Sequence, residues 1–168
     1  QFNGSVNLNA SWKGLEFDIL FVGAAVCDVS LTGTYYNWNE DNTIFTRPFK
    51  AGANSPRYLV ENAWTPENPN AEYPRLSLNP PNTNNSYASS FWYRDGKYLR
   101  LKSVHLGYTL PKNWTNKLRI QKVKVYIEGN NLCTWSGLPE GVDPEWPGVT
   151  NGYYPQQRTV VGGLEVSF

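Results

Sequence analysis

From Phe2 to Trp12 the chain alternates without a break. Phe2, Gly4, Val6, Leu8, Ala10 and Trp12 fall on one parity, and Asn3, Ser5, Asn7, Asn9 and Ser11 on the other. Successive side chains of a pleated strand point to opposite sides, so this run predicts a β-strand with one apolar or small face and one wet face. Lys13-Gly14 then reads as a tight turn. Leu15, Phe17, Ile19 and Phe21 follow on a shared parity, opposite Glu16, Asp18, Leu20 and Val22, which predicts an antiparallel return strand ending near Val26.

Three more strands are expected downstream. Asp95-Gly96 and Pro111 bound a β-rich run, with the strand itself over Tyr98 to Leu110. Its phase slips, because Leu99 and Leu101 lie on one parity and Val104, Leu106, Tyr108 and Leu110 on the other. A bulge near Lys102-Ser103 explains the slip, and so does a strand whose upper end leaves the apolar zone. Ile120 to Leu132 is regular again, with Val123, Val125, Ile127 and Gly129 opposite Lys122, Lys124, Tyr126, Glu128 and Asn130. The last run, Arg158 to Phe168, sets Val160, Gly162, Leu164, Val166 and Phe168 against Glu165 and Ser167.

The connections alternate in length. Lys13-Gly14 and Lys112 to Arg119 are short, whereas 27–97 and 133–157 are long. The first long segment loses all periodicity and holds Asn- and Pro-rich patches. A short helix is expected near Pro56 to Ala63, and strand continuations near Leu31 to Trp38. Short turns on one side and long loops on the other are the pattern of an outer-membrane β-barrel, with short periplasmic turns and long external loops.

Composition fits this and excludes other classes. Aromatics make up 15% of the 168 residues while charged residues make up 17%, and Asn, Gly and Pro are abundant, as in an all-β protein with long loops. The net charge of +1 suggests neither nucleic acid nor an anionic surface as a partner. No window of about 18 apolar residues exists, so no spanning helix is expected, but a spanning strand needs only about 9–11 residues. Cys27 and Cys133 are the only cysteines and could close one bridge at most; two unpaired, half-buried thiols are the simpler expectation. No signal peptide is visible and Gln1 is not a natural start, so the chain is read as a mature start or an excerpt.

Several stretches together resemble the C-terminal part of the SusC/RagA family of TonB-linked outer-membrane proteins. They are Tyr98-Leu99-Arg100-Leu101-Lys102, Leu106-Gly107-Tyr108-Thr109-Leu110-Pro111 and Val125 to Leu132. Asp143-Pro144-Glu145, Tyr153-Tyr154-Pro155 with Arg158-Thr159, and Gly163 to Phe168 follow in order. Trp64, Tyr73-Pro74-Arg75 and Ser89 to Trp92 fit upstream, and residues before Trp64 match only in character. The resemblance implies a barrel of about twenty-two strands, a size associated with plugged outer-membrane transporters. It further implies nutrient import, usually of glycans and sometimes of peptides, across the outer membrane of Bacteroidetes-type bacteria. Implied partners are a SusD-like surface lipoprotein as lid, TonB as energy source through a missing N-terminal region, the barrel assembly machinery and outer-membrane lipid. On this reading residues 1–168 are the last five strands and two extracellular loops, with the plug domain and remaining strands absent. Five strands cannot close such a barrel, since edges are not left in lipid.

No enzyme, cofactor or metal is expected. Trp64, Trp92, Trp135, Trp146, Tyr153 and Tyr154, all assigned to external segments, are the candidate ligand-binding residues. They could stack on sugar rings, although loop-core packing or an interfacial girdle uses the same side chains. Trp12 and Trp114 suit a girdle on the periplasmic side. Glu140, Asp143 and Glu145 with Asp95 could be imagined as glycosidase carboxylates, but nothing fixes their separation and solvated loop acids are the plainer reading. His105 is the only histidine, and no triad or metal cluster can be built around it. Asn37, Asn39 and Asp41 have the alternate spacing of a calcium loop, yet Asn42 stands where Gly is needed and Pro48 where Glu is needed. Lys122, Lys124, Glu128 and Glu165 are expected on the lumen side as a cross-strand charge ladder. Phe168 resembles the terminal aromatic read as a barrel assembly signal.

Two other classes compete: a secreted β-sandwich carbohydrate-binding module and a non-transporting outer-membrane adhesin. The sandwich and the barrel make opposite demands on Val6, Leu8, Val123, Val125, Leu164 and Val166. A sandwich interdigitates them in a core, and a barrel gives them to lipid.

Overall fold

The computed structural model describes residues 2–31, 49, 55, 57–78, 89–115, 120–146 and 156–168. They divide into two units, one of residues 1–27, 97–136 and 156–168, the other of 28–96 and 137–155.

The first unit is a five-stranded antiparallel sheet. Its strands are β1 (Phe2–Trp12), β2 (Leu15–Ala25), β5 (Tyr98–Thr109), β6 (Lys122–Ser136) and β7 (Thr159–Ser167), hydrogen-bonded in that order. Each strand therefore pairs with the next strand of its own unit, an up-and-down meander. The β1–β2 hairpin closes from Phe2↔Ala25 to Trp12↔Leu15. Both turn residues have positive φ, 48° at Lys13 and 89° at Gly14, the backbone of a type I′ turn whose twist matches the flanking strands. Gly14 is required there for a second reason. A Cβ would lie 2.7 Å from the carbonyl oxygen of Thr109.

The phase slip in β5 is a bulge. Leu20 and Phe21 are consecutive on β2, yet their partners on β5 are Ser103 and Leu101, so Lys102 is the extra residue. The shift grows on β6, where Ser103 and Leu101 pair with Asn130 and Cys133, and Asn131 sits at φ 52°. The bulge carries Leu99 and Leu101 onto the same side as Val104, Leu106 and Tyr108 despite their opposite parity. One side of the sheet is then apolar across all five strands. A row such as Ala10, Phe17, Leu106, Ile127 and Gly162 runs straight across it by direct pairing.

The second unit has its own small core. β3 (Asp28–Ser30) pairs antiparallel with β4 (Tyr93–Asp95). A short helix, Arg57–Glu61, and a 3-10 turn, Ser90–Trp92, complete its regular structure among the described residues. Leu31, Leu59, Tyr73 and Trp92 are buried together, with Val29, Tyr58, Leu76, Leu138 and Val142 packed against them.

Several boundaries differ by one or two residues, and three differences stand out. The helix expected over 56–63 is the shorter Arg57–Glu61. The turn at Lys112 contains a helical turn, Lys112–Thr115. The fourth strand of the sheet continues past Leu132 to Ser136. Of the strand continuation expected over 31–38, residues beyond Leu31 lie outside the described residues. Cys27 and Cys133 are both unbridged thiols.

Candidate functional site

The sheet has two chemically opposite faces. On the apolar one, Val6, Leu8, Phe17, Leu106, Val125, Ile127 and Leu164 are exposed, Val6 at 57% and Leu164 at 64%. Soluble monomers rarely present contiguous apolar patches beyond a few hundred Å². Among the described residues, the cluster of buried apolar side chains, Leu31, Leu59, Tyr73 and Trp92, belongs to the other unit. A sandwich would bury the inner faces of its sheets against each other, so the β-sandwich alternative does not fit these exposures. The strands suit lipid instead. The eleven residues of β1, ten steps of about 3.3 Å tilted by about 40°, cover roughly 25 Å, the height of an outer-membrane apolar band.

The opposite face carries the expected charge ladder in part. Lys122 and Glu165 on neighbouring strands lie 3.4 Å apart. Lys124 reaches farther, across β5 from β6 to an ion pair with Glu16 on β2. The crossing is open because Gly107, paired with Glu16, has no side chain; a Cβ there would stand 2.7 Å from Lys124 Cε. Tyr126 likewise lies over Gly163 on β7 and stacks on His105 with ring centres 5.6 Å apart. Glu128 instead accepts a hydrogen bond from Asn130 Nδ2 at 3.2 Å. Deeper along the same face, Arg100 is buried and its Nε donates to Thr134 Oγ1 at 2.9 Å. This face is polar, charged and held in register by cross-strand side chains.

In the loop unit Trp92 is 4% exposed, its ring stacked on Tyr73 and edge-on to Phe91. It offers no open ring face, so the ligand role expected of Trp92 gives way to core packing. Burial pushes the Tyr73 phenol above its ordinary pKa, and Glu72 adds to the rise. Arg94 fixes this corner through Glu72, 2.6 Å from Nη2. A cleft of about 280 Å³ opens beside it, lined by Tyr58, Asn62, Glu72, Arg94, Leu138 and Glu140 among others.

The other candidates separate. Trp135 is not in a loop but near the top of β6, paired with Leu99 on the apolar face and 54% exposed. That is the position of an interfacial girdle residue. Trp64 is partly exposed, and its N–H donates to the Tyr73 carbonyl at 2.9 Å. Trp146 is 63% exposed in its loop. Tyr153 and Tyr154, like Asn37, Asn39 and Asp41, lie outside the described residues. Asp143 accepts from the backbone N–H of Glu145 at 3.0 Å, an acid shaping its own turn. Trp12 and Trp114 are both well exposed at the short-turn end, and Phe168 is exposed beyond β7. Sequence reasoning missed the glycines that let Lys124 and Tyr126 cross the sheet. Their signal was a Gly on the polar parity of each receiving strand.

No family model matches the chain. Among curated proteins it is similar to TonB-dependent receptor P26 of Formosa agariphila, 32% identical over 174 residues, covering 94% of this chain and 16% of the receptor. TonB-dependent receptor P3 of the same organism is 36% identical over 129 residues, covering 69% of this chain and 12% of that receptor. Among solved structures, the RagAB peptide importer in its open-open state superposes with a TM-score of 0.65 at 26% identity, over 99% of this chain and 17% of the other. The structure described as the RagAB peptide transporter gives 0.63 at 28%, with the same coverage. The chain belongs to the TonB-dependent receptors of the SusC/RagA type. It spans about a sixth of the length of receptor P26 and of the RagAB chain. Receptors of this type are outer-membrane proteins, a setting that an exposed apolar sheet face suits. The relatives are receptors and transporters rather than enzymes; of the three loop acids Glu140 is exposed, whereas Asp143 is buried rather than solvated.

Proposed function

We propose that residues 1–168 form five adjacent wall strands and two extracellular loops of a TonB-dependent importer whose whole barrel has about twenty-two strands. The observation that carries this is the single sheet with a continuous exposed apolar face backed by a polar, charged one. The plug and the contact with TonB belong to other parts of the protein. A SusD-like lipoprotein lids the barrel on the side of the long loops, and Phe168, on the apolar parity of β7, meets the barrel assembly machinery.

The cargo is an oligosaccharide. Trp64 and Trp146 support this reading, because exposed rings outside the sheet can stack on sugar faces. Tyr153 and Tyr154 join them from the sequence. A second reading, peptide cargo, is favoured by the likeness to RagAB, which is described as a peptide importer. The test uses the full-length receptor with its lipoprotein, titrated with mixed oligosaccharides and, separately, mixed peptides. Oligosaccharide retention that drops about tenfold in a Trp64→Ala, Trp146→Ala double variant supports glycan cargo, on the scale of one or two ring contacts. Peptide retention with no oligosaccharide retention moves the assignment to the second reading.

A further inference from the structure

We propose that the short-turn rim of the sheet is a binding site for the phosphate of an anionic glycerophospholipid, made by Lys13 and Lys112 and flanked by Trp12 and Trp114. The proposal rests on the barrel reading, since only a spanning sheet brings this rim to a bilayer surface.

The rim is one continuous piece of backbone structure. Thr109 N–H donates to the Gly14 carbonyl at 2.7 Å, joining the Lys13-Gly14 turn to the end of β5. The chain then passes through Leu110, whose N–H donates to Val123 at 2.9 Å, directly into the Lys112–Thr115 helical turn. Large exposed rings stand along it: Trp12 ends the apolar parity of β1 and is 69% exposed. Trp114 is similarly exposed. Indole rings of this kind favour the depth of the headgroups.

Charge decides what meets them there. Glu16 and Glu165, the described acidic side chains toward this end of the strands by register, are each paired with a lysine of β6, Lys124 and Lys122 respectively. Lys13 and Lys112 are left as surplus cations. Lys13 Nζ sits 4.8 Å from the centre of the Trp12 ring, which holds it over the end of the apolar face. The sequence of the 112–119 connection contains no acid at all. A cation above an apolar band, beside an indole and lacking a carboxylate partner, matches the phosphate of a lipid whose acyl chains run down that band.

The experiment purifies the full receptor in a neutral detergent. It then measures by native mass spectrometry how much phosphatidylglycerol and how much phosphatidylcholine of the same acyl chains the receptor retains. The variant is Lys13→Asn with Lys112→Gln; Asn tolerates the positive φ of the turn, so the hairpin is kept. The expected result is a clear preference for phosphatidylglycerol in the unmodified receptor that falls roughly 25-fold in the variant, each lysine at an anionic surface being worth about fivefold. Equal retention of the two lipids, an unchanged preference in the variant, or full displacement by inorganic phosphate overturns the proposal. Heat-modifiable gel migration of both proteins tells this failure from failure of the barrel reading. A receptor that does not migrate as a folded barrel overturns both.

Discussion

Individual side chains in this sheet are placed largely by what their neighbours lack. Lys124 reaches Glu16 only because Gly107 leaves the intervening strand bare. A Gly107→Val substitution should push Lys124 off that path. Double-mutant cycles between Glu16→Gln and Lys124→Gln, read from urea midpoints of the full receptor, should then give a coupling near zero, against a measurable coupling when Gly107 is present. Gly14 is a stricter case, because both its φ of 89° and the nearby Thr109 oxygen exclude a side chain. Gly14→Ala should cost about 1–3 kcal/mol in vesicle-refolding titrations. An unchanged midpoint would mean that the turn re-forms differently. Such contacts were not legible in the sequence, where a glycine on the polar parity looks merely small.

At the scale of elements, alternation exposed four of the five sheet strands directly, because each buries or wets a whole parity. The strand ends were less visible. Trp135 and Cys133 continue the parity of Val123 to Gly129, but the Asn130-Asn131 pair interrupts the pattern and hid the last residues of β6 from sequence reading. The loop unit was hidden for a different reason. Its core residues Leu31, Leu59, Tyr73 and Trp92 come from separate short pieces with no shared period. Two predictions belong here. Ile127→Arg, on the lipid side, should destabilise the barrel by about 2–4 kcal/mol, while Val161→Arg on the opposite face should cost under about 1. Equal costs would contradict the assignment of faces. Trp92→Ala should remove about 3–5 kcal/mol from the loop unit. The expected readout is rapid protease cleavage within 57–95 while the strands stay protected and heat-modifiable.

For the molecule as a whole, the sequence carried the family, because the order of motifs survives in a stretch of about a sixth of receptor P26. It could not carry cargo, which depends on surfaces contributed by the remainder. Length itself is under an unusual constraint in this chain. A strand that must keep lipid on one side ordinarily tolerates no loss of a codon, since every residue beyond the loss changes sides. β5 is exempt at one point. Removing Lys102 would straighten the ladder against β2 and leave Leu99, Leu101 and Val104 all facing lipid, at the loss of the 2.8 Å bond to Gln156. Removing Lys124 from β6 has no such refuge. The two single-codon deletions should therefore separate sharply in the amount of receptor that reaches the outer membrane, the first near normal and the second nearly absent. The bulge makes β5 the place where this wall can gain or lose a residue across generations without turning itself inside out.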